Sequence, residues 1–236
     1  MSDTVRFYPH SRTAPTRPEL DAADKEYLTH GAPFKADVFI IDIEGGPMVV
    51  KDFAPRAWWR RLIGRLEVSR ECRAYTYLGP MPFFPGFFGC IDGHALAVEK
   101  IDGVTLARAP DRGTNRDDYL AQIRTALDRL AELGFLHLDA RNNKNLLLTP
   151  EGRVVFIDLA GSFWIPPGSF GHRLLQPIID VYYEANIIKW ETLLHPGGDP
   201  REGMKKPPRY HNGLQDLRMA RKRLRDRKKS SVSSEQ

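Results

Sequence analysis

Two aspartates, each at the end of an apolar run, are the residues whose types and spacing most suggest chemistry. Asp139 and Asp158 lie in the stretch HLDARNNKNLLLTPEGRVVFIDLAG, where an Asn-rich turn and a short strand-like run separate them. A carboxylate beside an apolar core can accept a proton or hold a cation. An aspartate at a strand end can also simply cap the next turn. We therefore treat this stretch as a candidate catalytic segment.

The elements that must position these carboxylates are strands in the first half of the chain and mostly helices afterwards. KADVFIIDIEGGPMVVKDF has two β-branched or aromatic runs around a Gly-Gly-Pro turn, which predicts a hairpin. FPGFFGCIDGHALAVEKIDG predicts two more strands joined by a turn. Because strands and helices are segregated rather than alternating, we expect an α+β fold.

Five helices are predicted from apolar spacing and from start and stop signals. The longest, in APRAWWRRLIGRLEVSRECRAYTYL, has Gly64 at an expected kink or break. Asn115 or Thr114 can cap another, and Gly134 can stop it. Besides the helix that contains Gly64, the predicted helices are Pro18–Leu28, about Asn115–Leu133, about Ile178–Leu194 and about Leu214–Arg227.

The composition is that of a folded chain. It has 236 residues, of which 42% are hydrophobic, enough for one large domain or two small lobes. The first twenty residues contain no apolar segment, and no stretch approaches the length of a membrane span. Cys72 and Cys90 are too few for a disulfide framework. We therefore expect a cytoplasmic protein, or one peripheral to the inner membrane, with no transmembrane segment.

Positive charge is concentrated near the end of the chain. The formal net charge is +5, and residues 201–229 contain twelve Lys or Arg against three Asp or Glu. Such a tail is typical of binding to RNA, ribosomes or an anionic membrane surface. It can equally be a solvated helix that ends in a disordered segment, and we expect disorder in SSVSSEQ.

Four segments together resemble motifs of the protein-kinase-like superfamily, in the order that the superfamily has. VVKDF is similar to the third-strand lysine motif and contains Lys51, and SRECRAY offers Glu71 on the following helix. HLDARNNKNLLL resembles the catalytic loop, and FIDLAG resembles the metal-binding DFG segment. The resemblance implies a bilobal kinase-like fold, with a small antiparallel-sheet N-lobe plus one helix and a mainly helical, reduced C-lobe.

The resemblance also implies a phosphotransferase that depends on ATP and Mg²⁺. Lys51 would hold the α- and β-phosphates, and Glu71 would hold Lys51. Asp139 would accept the proton of the substrate hydroxyl. Asn145 and Asp158 would ligate Mg²⁺, which prefers hard oxygen ligands.

Further features of the resemblance concern the nucleotide and the branch of the superfamily. Adenine would lie against the connector EKIDG, where Glu99 and Ile101 offer backbone groups. No Gly-rich loop is present. Instead, the segment with Lys35 and Val38 resembles the end of the nucleotide loop in RIO-type atypical kinases. The missing A-P-E segment also fits small bacterial RIO-like serine/threonine kinases and lipopolysaccharide-core kinases.

Several alternatives stay open. Asn145 lies six residues after Asp139, where five is usual, so Asn143 is a competing metal ligand. Glu67 lies one turn before Glu71 on a similar face and competes for Lys51. We interpret His137 as a structural residue. The chain could also phosphorylate a lipopolysaccharide sugar or another small hydroxylated substrate, or be a nucleotide-binding pseudokinase with a tail that binds RNA or ribosomes.

The predicted domains are an N-terminal extension (1–30), a kinase N-lobe (31–103), a kinase C-lobe (104–200) and a basic helix with a disordered tail (201–236). RAWWRRLIGRLEVSR combines Trp, Ile and Leu with many arginines. It could lie on an anionic membrane or bind sugar phosphates. We favour a helix whose tryptophans pack within the first lobe.

Overall fold

The structure, a computed structural model, describes residues 12–30, 35–43, 45–109, 114–194 and 213–233, which form an α+β fold as expected. Within these ranges the strands are β1 (Glu26–Thr29), β2 (Asp37–Ile43), β3 (Gly46–Asp52), β4 (Phe87–Ile91), β5 (Ala95–Glu99), β6 (Val104–Thr105), β7 (Phe135–His137), β8 (Leu146–Leu148), β9 (Val154–Phe156) and β10 (Ser162–Trp164). The helices are α1 (Arg17–Ala22), α2 (Trp58–Leu78), α3 (Arg116–Glu132), α4 (Phe170–Leu193) and α5 (Gly213–Ser233).

The chain divides into two compact units. Unit 1 comprises Met1–Asp102 together with Val155–Gly161. Unit 2 comprises Gly103–Val154 and Ser162–Gln236. Unit 1 is therefore assembled from two separate stretches of sequence.

The core of unit 1 is an antiparallel five-stranded sheet in the order β1-β2-β3-β5-β4. The predicted hairpin joins β2 to β3, and positive φ angles of 103° and 108° at Gly45 and Gly46 form its turn. Alternate residues of β2 and β3 are buried, since successive side chains of a strand point to opposite faces. One face carries the hydrophobic cluster Leu20, Phe39, Ile41, Met48, Val50, Ile91, Ala95 and Ala97.

Helix α1 is anchored to this sheet by one apolar and one charged residue. Leu20 is fully buried in the cluster. The Arg17 guanidinium lies 2.7 Å from Asp52 and 2.6 Å from Asp92. The predicted helix to Leu28 was too long, because α1 ends at Ala22 and the residues that follow form strand β1.

Helix α2 is one continuous helix, so the predicted break at Gly64 was wrong. Gly64 is instead a packing residue, since a Cβ there would come within 2.2 Å of the Phe53 side chain. The expected packing of the tryptophans was also wrong, because Trp58 is 69% exposed. Cys72 of this helix forms a disulfide with Cys90 of β4, a cross-link that the sequence analysis did not predict.

Unit 2 is mainly helical, with α3 packed on α4 and α4 packed on α5. The structure places the α3 boundaries within a residue of the prediction, whereas α4 begins earlier, where the Ser169 side chain caps it. Strand β7 pairs antiparallel with β10, and β6 pairs antiparallel with β8. Buried Glu184 of α4 accepts ion pairs from Arg124 of α3 and from Arg223 and Arg227 of α5.

The basic end of the chain is partly described. Helix α5 extends to Ser233, so four of the seven residues that we expected to be disordered are helical. Two of its arginines are engaged in the Glu184 ion pairs, which reduces the charge available to a partner. The rest of the predicted tail, 201–212 and 234–236, lies outside the described residues. No helix in the described ranges is long and apolar enough to cross a membrane.

Candidate functional site

The candidate site of unit 1 begins with Lys51, on the face of the sheet that the hydrophobic cluster does not use. Its neighbours in β3, Val50 and Asp52, are buried on the cluster side. Because side chains alternate along a strand, Lys51 points to the opposite face. Its side chain keeps 20% of its exposure, so the ammonium can still meet a ligand from solvent.

Glu71 of α2 meets Lys51 on that face. Its Oε1 lies 2.6 Å from the Lys51 Nζ, and the carboxylate is only 4% exposed. The same oxygen accepts a hydrogen bond from the backbone N–H of Leu159 at 3.3 Å. Glu67, the competing residue one turn earlier, is exposed to solvent. In the structure, therefore, Glu71 and not Glu67 contacts Lys51.

Asp158 is the third member of this cluster. Its Oδ1 lies 3.0 Å from the Lys51 Nζ, while 43% of its side chain remains exposed. Asp158 also has a positive φ of 69°, which is uncommon for a residue other than glycine. Such backbone conformations cluster at functional sites, where surrounding contacts maintain them. Here the Leu159 N–H bond to Glu71 fixes the segment directly after Asp158.

The electrostatics of the cluster follow from one ammonium that faces two carboxylates. Burial alone would lower the pKa of Lys51, but the charges of Glu71 and Asp158 raise it above the usual value. Burial raises the pKa of Glu71 although Lys51 opposes the rise, and Asp158 adds to it. Lys51 is therefore firmly charged. The cluster carries an excess of negative charge that a bound cation would neutralise.

Unit 2 contains the other predicted residues, in a loop that we call the Asp139 loop (residues 138–145). Successive backbone hydrogen bonds tighten it: Asn142 donates to the Asp139 carbonyl, and Asn145 donates to the Asn142 carbonyl, both at 2.9 Å. The Asn145 Nδ2 donates to the Asp139 carbonyl at 3.4 Å. This bond uses the amide's donor, so its oxygen remains as the ligand atom. The Asp139 side chain is exposed.

Asn143 remains an alternative to Asn145 as a metal ligand. It is half-buried, and its Oδ1 accepts no hydrogen bond from any residue that the structure describes. A buried carbonyl oxygen without a donor is costly. Asn143 and Asn145 thus both retain a side-chain oxygen for a cation.

Helix α4 holds the Asp139 loop and the strand before it, which the sequence did not reveal. Tyr183 accepts from the His137 backbone N–H at 3.0 Å and donates to the Phe135 carbonyl at 2.7 Å. The Trp190 indole donates to the Ala140 carbonyl at 3.3 Å, and Lys189 donates to the next carbonyl. The sequence showed aromatic residues in a predicted helix, but their spacing alone did not identify the partners. His137 itself is fully buried, in keeping with its structural interpretation.

The residues predicted to contact a nucleotide all lie in unit 1. Val38 of β2 is the direct cross-strand neighbour of Lys51. Glu99 ends β5, and its N–H donates to the Gly86 carbonyl at 2.7 Å. Ile101 follows outside any strand and is half-buried.

Lys35 precedes β2 and is exposed, and its carbonyl accepts from Arg56 at 3.1 Å. The adjacent segment 31–34, where we noted the absence of a Gly-rich loop, lies outside the described residues.

The structure thus brings the predicted site residues together in two groups. Lys51, Glu71 and Asp158 are in contact within unit 1. Asp139 and Asn145 are in contact within unit 2. Among the residues described, no cluster of three or more His, Cys, Asp or Glu side chains could hold a metal ion unaided. A metal held by this chain would therefore need amide, water or substrate oxygens as further ligands.

Comparison of the chain with models of known protein families and with curated proteins finds no match. Function must therefore be inferred from the geometry.

Proposed function

We propose that the chain is an ATP- and Mg²⁺-dependent phosphotransferase of the protein-kinase-like superfamily, acting on serine or threonine hydroxyls of a protein as RIO-like kinases do. The observation that carries the proposal is the position of Lys51 between Glu71 and Asp158, at 2.6 and 3.0 Å. A buried carboxylate that fixes a partly exposed ammonium suits the binding of an anionic phosphate chain. Glu71 and Asp158 come from sequence positions 20 and 107 residues away from Lys51, so the cluster is not a local ion pair.

The fold of each unit agrees with the proposal. Unit 1 has the small antiparallel sheet and the single long helix that an N-lobe would have, and unit 2 is mainly helical. In this proposal Lys51 binds the α- and β-phosphates, and Glu71 fixes its position. Val38, Lys35 and the backbones of Glu99 and Ile101 lie along the nucleotide.

The donor atoms also fit magnesium. The Asp158 carboxylate and the Asn145 amide oxygen are hard ligands, and the 43% exposure of Asp158 leaves room for the waters that Mg²⁺ keeps. When bound, the ion would neutralise charge on the transferred phosphoryl group. Asp139, exposed on a loop that is fixed by backbone hydrogen bonds, accepts the proton of the substrate hydroxyl.

The test is a phosphate-transfer assay with labelled ATP and Mg²⁺ against cell extract, read by mass spectrometry. Asp139→Asn should reduce transfer by at least about 100-fold, the usual contribution of a positioned acid or base. Asp117→Asn is the matched control, because Asp117 has a 94% exposed side chain on α3 of the same unit. Transfer that survives Asp139→Asn unchanged would contradict the assignment.

The same assay separates the alternatives. Label on a glycan or a small alcohol would replace the protein substrate with the sugar-kinase alternative. Stabilisation by Mg·ATP without transfer would indicate a pseudokinase. A ligand at about 100 times its dissociation constant should stabilise the fold by about 2.7 kcal/mol. If no nucleotide raises the melting temperature, the nucleotide site itself is wrong.

A further inference from the structure

The first half of α2 carries an apolar face that is largely exposed to solvent. We call it the Trp58 face, and its exposed fractions run from 38% at Trp59 to 73% at Leu66. Residues three and four apart on a helix share a side, so these side chains form one continuous stripe. Its members are Trp58, Trp59, Leu62, Ile63 and Leu66.

This stripe is not the side by which α2 packs on unit 1. The packed side carries Gly64, which abuts Phe53, and continues through Val68 and Cys72, which are buried. At 100° per residue, that side lies opposite the Trp58 face. The core contacts of α2 therefore do not use the Trp58 face. A contiguous exposed apolar face of this kind marks an interaction site.

Two arginines border the Trp58 face and are available to a partner. Arg65 and Arg70 are exposed, and no ion pair joins them to another described residue. Arg60 lies with its guanidinium 4.7 Å from the Trp59 ring centre. By contrast, Arg56, just before the helix, is paired with buried Asp37. The unpaired positive charge is therefore beside the apolar stripe.

We propose that the Trp58 face docks on an anionic lipid bilayer, with the first half of α2 lying in the plane of the interface. Trp side chains favour the headgroup level, and Leu and Ile reach the acyl boundary. Arg65 lies beside the Trp58 edge of the stripe and Arg70 one turn beyond Leu66, so their guanidiniums reach lipid phosphates as the stripe sinks. The apolar ridge of residues 58–66 is about 12 Å long, and a fluid interface accepts it without a complementary pocket. The proposal does not depend on the phosphotransferase activity.

The experiment is vesicle flotation with the full chain. Phosphatidylcholine vesicles with phosphatidylglycerol should carry the protein, whereas phosphatidylcholine alone should carry much less. Binding should weaken as salt rises, because the surface potential is screened. Failure to bind anionic vesicles at low salt would overturn the proposal.

Two variants of the face test its two components. Arg65→Gln/Arg70→Gln should weaken binding to anionic vesicles by about 25-fold, since each basic residue near the surface contributes about a factor of five. Trp58→Ser/Leu62→Ser/Leu66→Ser should abolish binding to both kinds of vesicle. These residues are exposed, so melting temperatures should stay close to that of the unaltered chain. If the apolar variant fails to fold, the arginine variant alone decides.

The matched control removes a similar exposed stripe from another helix. Phe170, Leu174 and Ile178 of α4 are 61–83% exposed, but they are not bordered by a comparable group of arginines. Replacing all three with Ser should leave vesicle binding within about twofold of the unaltered chain, as expected for surface changes. An equal loss from both sets would overturn the assignment to α2. A solution dimer that dissociates in the Trp58 variant would overturn it too, because a second copy would then cover the face.

Discussion

Replacing Lys51 with Met would test the cluster of unit 1 most directly. The change removes an ammonium that lies 2.6 Å from Glu71 and 3.0 Å from Asp158. Glu71, only 4% exposed, would remain as a buried carboxylate without its cation. Breaking a buried pair from one side costs about 3–5 kcal/mol. We expect the lower end of that range near pH 8, since Asp158 is 43% exposed and can turn to water.

The loss should depend on pH, because Glu71 can escape the cost by binding a proton. Burial already raises the pKa of Glu71, and without Lys51 that pKa should rise further. The native state then binds more protons than the unfolded state, whose Glu pKa is about 4.3. The free energy of unfolding therefore falls as pH rises, by up to about 1.4 kcal/mol per pH unit between the two pKa values.

In the unaltered chain, the raised pKa of Lys51 does not make the free energy of unfolding depend on pH between about pH 5 and pH 8. The stability that Lys51 contributes is fully present below the unfolded Lys pKa of about 10.4 and is lost only above it.

The assay is urea unfolding, followed by circular dichroism, of both proteins between about pH 5 and pH 8. The difference in unfolding free energy should shrink as the pH falls. Lys51→Met/Glu71→Gln should recover stability near pH 8 and lose the slope. Lys144→Met, an exposed lysine of the Asp139 loop, should change stability by less than about 0.5 kcal/mol. A constant loss at every pH would refute the reasoning, since a buried carboxylate could not then be its cause.

Three further predictions concern the framework. Replacing Cys72 and Cys90 with Ser should cost about 3 kcal/mol, the value for a loop of this length, and a lowered urea midpoint would measure it; an unchanged midpoint would mean that the cross-link does not form in solution. Gly64→Ala should lower the unfolding free energy by about 1–3 kcal/mol despite alanine's better helix propensity, because its Cβ would clash with Phe53; a stabilised variant would contradict this packing. Tyr183→Phe should cost about 1–3 kcal/mol, measured by thermal melting, because it leaves buried backbone groups of β7 without partners; a loss below about 0.5 kcal/mol would show that water replaces the hydroxyl.

The sequence was sufficient for four of the five strands in the sheet of unit 1, because period-2 alternation and Gly-Gly turn chemistry act locally. Strand β1 was instead predicted as the end of a helix. The sequence was insufficient to predict that α2 is continuous. A glycine inside a helix suggests a break, but Gly64 instead allows α2 to pack closely on Phe53. The prediction that the tryptophans of α2 are packed failed for a similar reason. Tryptophans are usually buried, and only the tertiary contacts reveal that α2 packs by its other side.

The site residues were chosen from motifs, and the structure adds contacts that motifs do not encode. Glu67 and Glu71 lie one turn apart on a similar face of α2, so their spacing does not distinguish them. The packing of α2 decides that Glu71 contacts Lys51. The positive φ of Asp158 had no sequence signal, since glycine is the residue that usually marks it. The α4 contacts to β7 and to the Asp139 loop join positions more than 40 residues apart and were invisible to local patterns.

The discontinuous make-up of unit 1 has a consequence for how the protein is synthesised and dissected. Residues up to Asp102 include every strand of the sheet, but Asp158 reaches the cluster on the separate stretch Val155–Gly161. A nascent chain cannot complete the charge cluster until that stretch has left the ribosome, although the sheet can form earlier. A gene fragment that stops at Asp102 would produce a lysine with one carboxylate instead of two. A peptide spanning the missing stretch, added in trans, is the natural reagent for restoring it.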